Sequence, residues 1–217
     1  MSRSIKLVAL ALVLALGLAV GLIVYQTQPA SKAVFKATDV SAVEWGRDFE
    51  LVDHYAQRRT LADFRGKVVM VFFGYTNCPD VCPTAVAEMA QVVQRLGADG
   101  NRVQVLFITT DPARDTAERL ATYVTAFHPS FLGLRGTPEQ IAQVAKDFKV
   151  YYQADEPKGS HTAHADEARQ YLVMHTSGIF VFDRTGRLRL YVSAAKRSVD
   201  DMVHDVKLLL GSRGEKQ

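Results

Sequence analysis

The chain is poor in cysteine, in net charge and in repetition. Only two of its 217 residues are cysteines, Cys78 and Cys82, which leaves three roles open: a structural disulfide, a redox pair or a metal site. The net charge is +3, and the charged residues are scattered, with no basic stripe and no acidic tail. That absence argues against a nucleic-acid partner. The 48% hydrophobic and 23% charged residues are ordinary for a folded soluble domain, and no internal repeat is apparent.

One stretch lacks charge altogether. Leu7 to Tyr25 is a run of 19 uncharged residues, and a helix needs about 20 to span a bilayer. The run also lacks the polar face that a helix in a soluble core would show. Arg3 and Lys6 precede it, so the amino end is predicted to stay cytoplasmic and the remainder to be exported.

This segment sets the predicted domain organisation. We expect a cytoplasmic N-terminus (1–6), a transmembrane anchor or uncleaved signal (7–25), a tether (26–44) and one folded domain (45–212). A cleaved signal peptide is the alternative, although its apolar region usually has about 7–15 residues. The predicted location is the inner (cytoplasmic) membrane, single-pass, with the domain on the periplasmic, extracytoplasmic side. A disulfide can persist there.

Beyond the tether, strand and helix patterns alternate. Two continuous apolar runs, Val68 to Tyr75 and Val103 to Thr110, are typical of strands buried on both faces. Helical spacing follows each of them, with Asp115 and Thr137 as predicted helix caps. A hairpin, "GIFVFD" and "RLRLYV", and a last helix complete the domain. This order predicts an α/β fold with a parallel βαβ unit followed by an antiparallel pair.

The cysteine pair follows a buried strand and precedes a helix. It is therefore predicted at the carboxyl end of a strand, where open α/β sheets place their sites. Helical Cα atoms four residues apart are roughly 6.2 Å apart, within the disulfide range of about 4.4–6.8 Å. The two sulfurs can thus bond to each other or hold one ion. A disulfide closing so small a loop would stabilise little, and a helix start favours the thiolate that a nucleophile or metal ligand requires.

Three stretches resemble one known family. "FFGYTNCPDVCPTAVAEM", "TTDPARDTAERLATY" and "YLVMHTSGIFVFDRTG" occur in this order and are similar to motifs of the Sco/SenC proteins, thioredoxin-fold copper proteins that assist assembly of the copper centre of cytochrome c oxidase. The resemblance implies a thioredoxin-like three-layer α/β fold with a mixed central sheet. It also implies that Cys78, Cys82 and His175 are the copper ligands, for Cu(I) and, as a second candidate state, Cu(II). The implied partners are the copper-bearing oxidase subunit and a thiol reductant or upstream copper donor.

The sequence differs from the family pattern at the residue before His175. The family commonly has aspartate where this chain has Met174. On a strand Met174 should face away from His175, so core packing is predicted for it. Asp80 is a candidate fourth ligand for Cu(II), although interaction with the helix N-terminus is the favoured role. His161 and His164 lie in the long polar stretch Gln153 to Gln170 and are predicted to be solvated, with metal recruitment as the alternative.

Three functions compete. The favoured one is a membrane-anchored copper chaperone, and it does not exclude enzymatic activity, because the same two sulfurs could serve both roles. The second is a thiol–disulfide oxidoreductase that uses Cys78 and Cys82 as its redox pair. The C-x3-C spacing argues against it, because redox motifs usually have C-x2-C. The third is a disulfide-stapled domain that only binds partners.

Overall fold

The computed structural model describes residues 16–18, 34–46, 48–154, 173–196 and 198–211. The chain divides into two units at Val34/Phe35, and the second unit contains the sheet and its helices. The predicted anchor, 7–25, lies outside the described residues apart from 16–18. Among the described residues, none of the helices combines the length and apolar character needed to cross a membrane.

An eight-stranded mixed sheet forms the centre of the second unit. Its strand order is β1-β10-β9-β4-β5-β6-β2-β3, with β4, β5 and β6 parallel and the other pairs antiparallel. A separate antiparallel hairpin pairs β7 with β8. The strands are β1 Thr38–Asp39, β2 Glu50–Asp53, β3 Arg58–Thr60, β4 Val68–Gly74, β5 Val103–Thr109, β6 Leu132–Arg135, β7 Tyr152–Ala154, β8 Val173–His175, β9 Ile179–Phe182 and β10 Leu188–Val192.

In the described part of this unit, four α-helices cover the sheet. They are α1 Val81–Arg95, α2 Ala117–Phe127, α3 Pro138–Asp147 and α4 Val199–Gly211. Residues of β4 alternate between two apolar clusters, so that Met70 and Phe72 pack with α1, α2 and α4 while Val71 and Phe73 pack with α3. The result is a layered α/β fold around a mixed central sheet, as predicted. Both central strands, β4 and β5, are buried along their whole length, which confirms the interpretation of their apolar runs.

Several elements differ from the sequence prediction. The strand β6 was not predicted, because Leu132–Arg135 is short and contains a glycine. The edge strand β1 lies inside the segment predicted to be a tether and pairs with β10. The hairpin β7–β8 was also missed, because its strands flank the long polar stretch and have three residues each.

The two predicted helix caps have different outcomes. Thr137 caps α3 in a full capping box with Gln140, as predicted. The predicted cap of α2 was wrong. Thr116, and not Asp115, occupies that position and accepts a hydrogen bond from the Arg119 backbone N–H. The Asp115 carboxylate instead bonds to Thr76, in the loop that follows β4.

Candidate metal centre

The fold brings Cys78, Cys82 and His175 together. Cys78 lies in the loop after β4, Cys82 in the first turn of α1, and His175 at the end of β8. One donor atom from each residue lies within 4.8 Å of the other two. The Cys82 sulfur is 3.2 Å from His175 Nε2, and the two cysteines are free thiols.

Gly74 makes room for the buried thiol at the end of β4. A Cβ atom on this residue would lie 2.9 Å from Cys82 Sγ and 2.9 Å from ring carbons of Phe72 and Phe107. Such approaches are shorter than van der Waals contact, so only glycine lets the sulfur lie against the strand backbone. Strand β4 then turns into the loop, where the Cys78 N–H donates to the Tyr75 carbonyl at 3.2 Å.

The two thiols have opposite electrostatic environments. Burial raises the pKa of Cys78, but the backbone N–H groups of residues 80–82 and the Cys82 thiol outweigh it, so the net pKa is lowered. Cys82 is fully buried, and this burial raises its pKa far above the ordinary value, with the neighbouring Cys78 adding to the shift. The half-buried Cys78 is therefore the readily ionised thiol of the pair.

Hydrogen bonding fixes the tautomer of His175. Its Nδ1 lies 3.1 Å from the Thr176 carbonyl oxygen, which can only accept, so Nδ1 carries the hydrogen. The lone pair on Nε2 then points at the Cys82 sulfur. Burial lowers the pKa of His175 and favours the neutral ring. The rings of Phe72 and Tyr75 contact the imidazole edge-on, with centroids 5.8 Å and 6.1 Å away, and restrict its orientation.

A buried aspartate supports the cysteine loop. Asp115 is fully buried and accepts hydrogen bonds from the Thr76 N–H at 3.1 Å, the Thr76 hydroxyl at 2.6 Å and the Thr109 hydroxyl at 2.6 Å. It thus ties the loop that leads to Cys78 to the end of β5. Sequence reasoning missed this role because an aspartate three residues before Glu118 matches a helix cap equally well.

An ion pair lies on the other side of Tyr75. Asp111 pairs with the Arg114 guanidinium, and both side chains are largely buried. The guanidinium carbon lies 5.7 Å from the centroid of the Tyr75 ring, within cation–π distance. The second of the three family-like stretches, "TTDPARDTAERLATY", therefore packs against the candidate metal site as well as containing α2.

The remaining predicted residues lie elsewhere. Met174 is 59% exposed, so its predicted core packing was wrong. The cause is that the β7–β8 hairpin is a separate two-stranded unit, and on this strand only Val173 is buried. Asp80 occupies the N-cap of α1 without a side-chain cap hydrogen bond and is not part of the three-residue group. His161 and His164 lie outside the described residues.

Comparison with known proteins identifies the family. The SCO1/SenC family model matches residues 37–211. This chain belongs to the SCO1/SenC family. Among curated SCO relatives, the bovine mitochondrial protein SCO2 homolog is 44% identical over 162 residues, which are 74% of this chain and 58% of the relative. The human mitochondrial SCO1 homolog is 38% identical over 154 residues, 70% of this chain and 48% of that protein. The matched part thus spans about half to three fifths of these relatives.

Solved SCO1/SenC structures share the fold. The copper-bound ScoI of Bradyrhizobium japonicum has a TM-score of 0.66 at 34% identity, covering 76% of this chain and 99% of the other. The apo Sco1 of Thermus thermophilus has a TM-score of 0.70 at 37% identity, covering 83% and 100%. The thioredoxin-like fold expected from the resemblance is consistent with both.

Proposed function

We propose that this protein binds copper through Cys78 Sγ, Cys82 Sγ and His175 Nε2 and serves the assembly of the copper centre of cytochrome c oxidase. The convergence of these three donor atoms within 4.8 Å carries the proposal. Thiolate sulfur is the soft donor that Cu(I) prefers, and imidazole suits copper in either oxidation state. Copper-bound structures of the Bradyrhizobium and yeast relatives support the choice of metal. The proposed role in oxidase assembly follows the description of BsSco as a member of the Sco family of cytochrome c oxidase assembly proteins.

Copper is cargo in this proposal. Three protein donors suffice for Cu(I) and leave room for a ligand from an acceptor such as the copper-bearing oxidase subunit. Cys78 is only half-buried, whereas Cys82 is fully buried, so exchange is expected to begin on the Cys78 side. Because both thiols must lose their protons when copper binds, affinity should rise with pH and vanish when the pair is oxidised.

A second candidate function rests on the asymmetry of the two thiols. Cys78, with its lowered pKa, is suited to attack a disulfide in a target protein and form a mixed disulfide. Cys82, whose proton passes to the target thiolate released in the first step, would then attack the Cys78 sulfur, releasing the second target thiolate and leaving a Cys78–Cys82 disulfide. Two electrons pass from this protein to the target, and an external thiol reductant must restore the pair. This reaction needs no histidine.

We further propose that the 7–25 segment anchors the protein in the inner membrane and that the copper-binding domain, whose sheet already includes β1 at Thr38–Asp39, lies on the extracytoplasmic side. The charge-free run and the preceding Arg3 and Lys6 support this.

An anaerobic Cu(I) titration against a competing chelator tests the copper site. The reduced protein should bind one equivalent, and His175→Ala should weaken binding by about tenfold or more, since it removes one of three ligands. His128→Ala is the matched control, because His128 contacts Ser130 and is not part of the three-residue group. An unchanged Cu(I) affinity in His175→Ala would refute the three-ligand site. Reduction of a disulfide substrate by His175→Ala at the normal rate, with copper binding lost, would separate the two candidate functions.

A further inference from the structure

A groove opens at the carboxyl ends of β5 and β6. It has a volume of about 540 Å³, which is within the range of ligand-binding sites. Its walls come from the turn after β2, the segment between β5 and α2, and the segment between β6 and α3. We call it the β5–β6 groove and define it by its apolar lining: Val52, Ala56, Pro112, Ala113, Ala117 and Pro138.

Arg135 supplies a positive charge to this apolar lining. It ends β6 beside Val52, and its Nη2 donates to the Pro112 carbonyl at 3.3 Å. Its Nε–H is buried and has no hydrogen-bond partner among the residues that the structure describes. A buried guanidinium N–H without an acceptor is costly, and a carboxylate is the acceptor whose geometry fits it best.

Two acidic residues close to Arg135 in the described part of the chain, Asp53 and Glu118, do not provide that acceptor. Asp53 lines the same groove, but its carboxylate accepts from Arg59 Nε at 2.8 Å and from two backbone N–H groups, so its capacity is largely used. Glu118 interacts electrostatically with Arg135, but its side chain is exposed and forms no ion pair with Arg135 among the described residues. The helices α2 and α3 both begin at the groove, at Ala117 and Pro138, and their dipoles also favour an anion.

The groove continues toward the metal centre. A second depression of about 210 Å³ shares Pro112, Ala113 and Pro138 with it and extends to Tyr152 and Val173. These last two residues belong to β7 and β8, the hairpin that ends in the candidate ligand His175. The two adjoining depressions therefore form an elongated track from Arg135 to the His175 hairpin. An extended chain fits such a track better than a compact small molecule does.

We infer that the β5–β6 groove binds an extended segment of a partner protein in which an acidic side chain is flanked by apolar ones. The carboxylate of this segment pairs with Arg135, and its apolar neighbours contact Ala113, Ala117 and the prolines. The segment then continues toward the His175 hairpin, which would hold the partner beside the metal centre. The inference goes beyond the proposed function, because peptide binding at this groove requires no copper.

Titration of the full-length, reduced, copper-free protein with short peptides tests the inference. The ¹⁵N-labelled protein in a detergent micelle is titrated with Ac-Phe-Glu-Leu-NH₂, with Ac-Phe-Gln-Leu-NH₂ and with hexanoate, and binding is followed by amide chemical shifts. We expect saturable shifts at Ala113, Ala117 and Gly136 with the Glu peptide. The Gln peptide should bind about tenfold more weakly, since it lacks the charge-assisted hydrogen bond.

Matched arginine variants locate the interaction. Arg135→Gln should weaken binding of the Glu peptide about tenfold, whereas Arg95→Gln, which removes an exposed arginine paired with Asp200, should leave it within about twofold. If Arg135→Gln fails to fold, Ala113→Trp serves instead, because Ala113 is exposed and a large ring there fills the groove. Equal binding of the Glu and Gln peptides, shifts outside the groove, or hexanoate binding as tightly as the Glu peptide would each overturn the inference. An unchanged Cu(I) affinity in Arg135→Gln would show that the groove and the metal centre are separate sites.

Discussion

Replacing Asp115 with asparagine probes the support of the cysteine loop. Asp115→Asn keeps the size of the side chain but turns one of its two acceptor oxygens into a donor. Three hydrogens point at this carboxylate, from the Thr76 N–H, the Thr76 hydroxyl and the Thr109 hydroxyl. The Thr76 N–H lies near both oxygens, so the amide oxygen can still accept from it. The charge of the acceptor is lost, however, so every bond that remains is a weaker bond to a neutral group.

The expected cost follows from two opposing terms. A hydrogen bond to a charged group contributes about 1.5–3 kcal/mol. Burial raises the pKa of Asp115, and the hydrogen bonds from Thr109 and Thr76 offset this only in part, so the neutral amide recovers some desolvation energy. We expect a net loss of about 1–2 kcal/mol in the free energy of unfolding, which is a sizeable fraction of a typical total of about 5–15 kcal/mol.

Urea unfolding of the reduced, copper-free protein measures this loss. At a typical slope of about 1–3 kcal/mol per molar, the midpoint should fall by roughly 0.3–2 M. Asp200→Asn is the control, because Asp200 forms an exposed pair with Arg95 and should change stability by less than about 0.5 kcal/mol. If both variants unfold at the same midpoint, Asp115 does not hold the loop and our interpretation of its three hydrogen bonds is wrong.

Three further predictions concern other parts of the chain. Lys149 follows α3 with φ = 57° in a Schellman-type C-terminus, so Lys149→Gly should raise the unfolding free energy by about 1 kcal/mol in urea unfolding, and a destabilised variant would contradict this. One equivalent of iodoacetamide should modify Cys78 before Cys82, because the pKa of Cys78 is lowered whereas Cys82 is buried; peptide mass mapping that finds Cys82 modified first would refute it. Burial raises the pKa of Asp183, but hydrogen bonds from residues 185 and 187 lower it by more. The net pKa is therefore below the ordinary value of an aspartate. The ionised carboxylate therefore stabilises the fold at neutral pH, and this stabilisation is lost as the pH falls through and below about 4. Asp183→Asn should lose less stability than the unmodified protein over this pH range. If the two proteins lose stability in parallel, the prediction is wrong.

Much of the layered fold could be predicted from local patterns. The apolar runs at Val68 and Val103 predicted two buried strands whose observed ends differ from the prediction by one residue. The capping box at Thr137 was equally predictable, because it depends on neighbours three residues apart. Short strands were missed where their stabilising partners are distant in sequence. Strand β6, for example, is held by pairing with β5 and β2 and carries little signal of its own.

By itself, the sequence determined the buried strands, the helix faces and the position of Cys78 and Cys82 where a central strand gives way to a helix, since hydrophobic periodicity and helix-start signals act between near neighbours. His175 was predicted as a ligand only through the family resemblance. The tertiary structure alone decided that its Nε2 lies 3.2 Å from a sulfur 93 residues away, that Met174 faces solvent and that Asp115 supports the loop before Cys78. These features depend on which strands pair and on which side of the sheet a hairpin packs. Such contacts are set by burial summed over the whole domain and leave no local pattern in the chain.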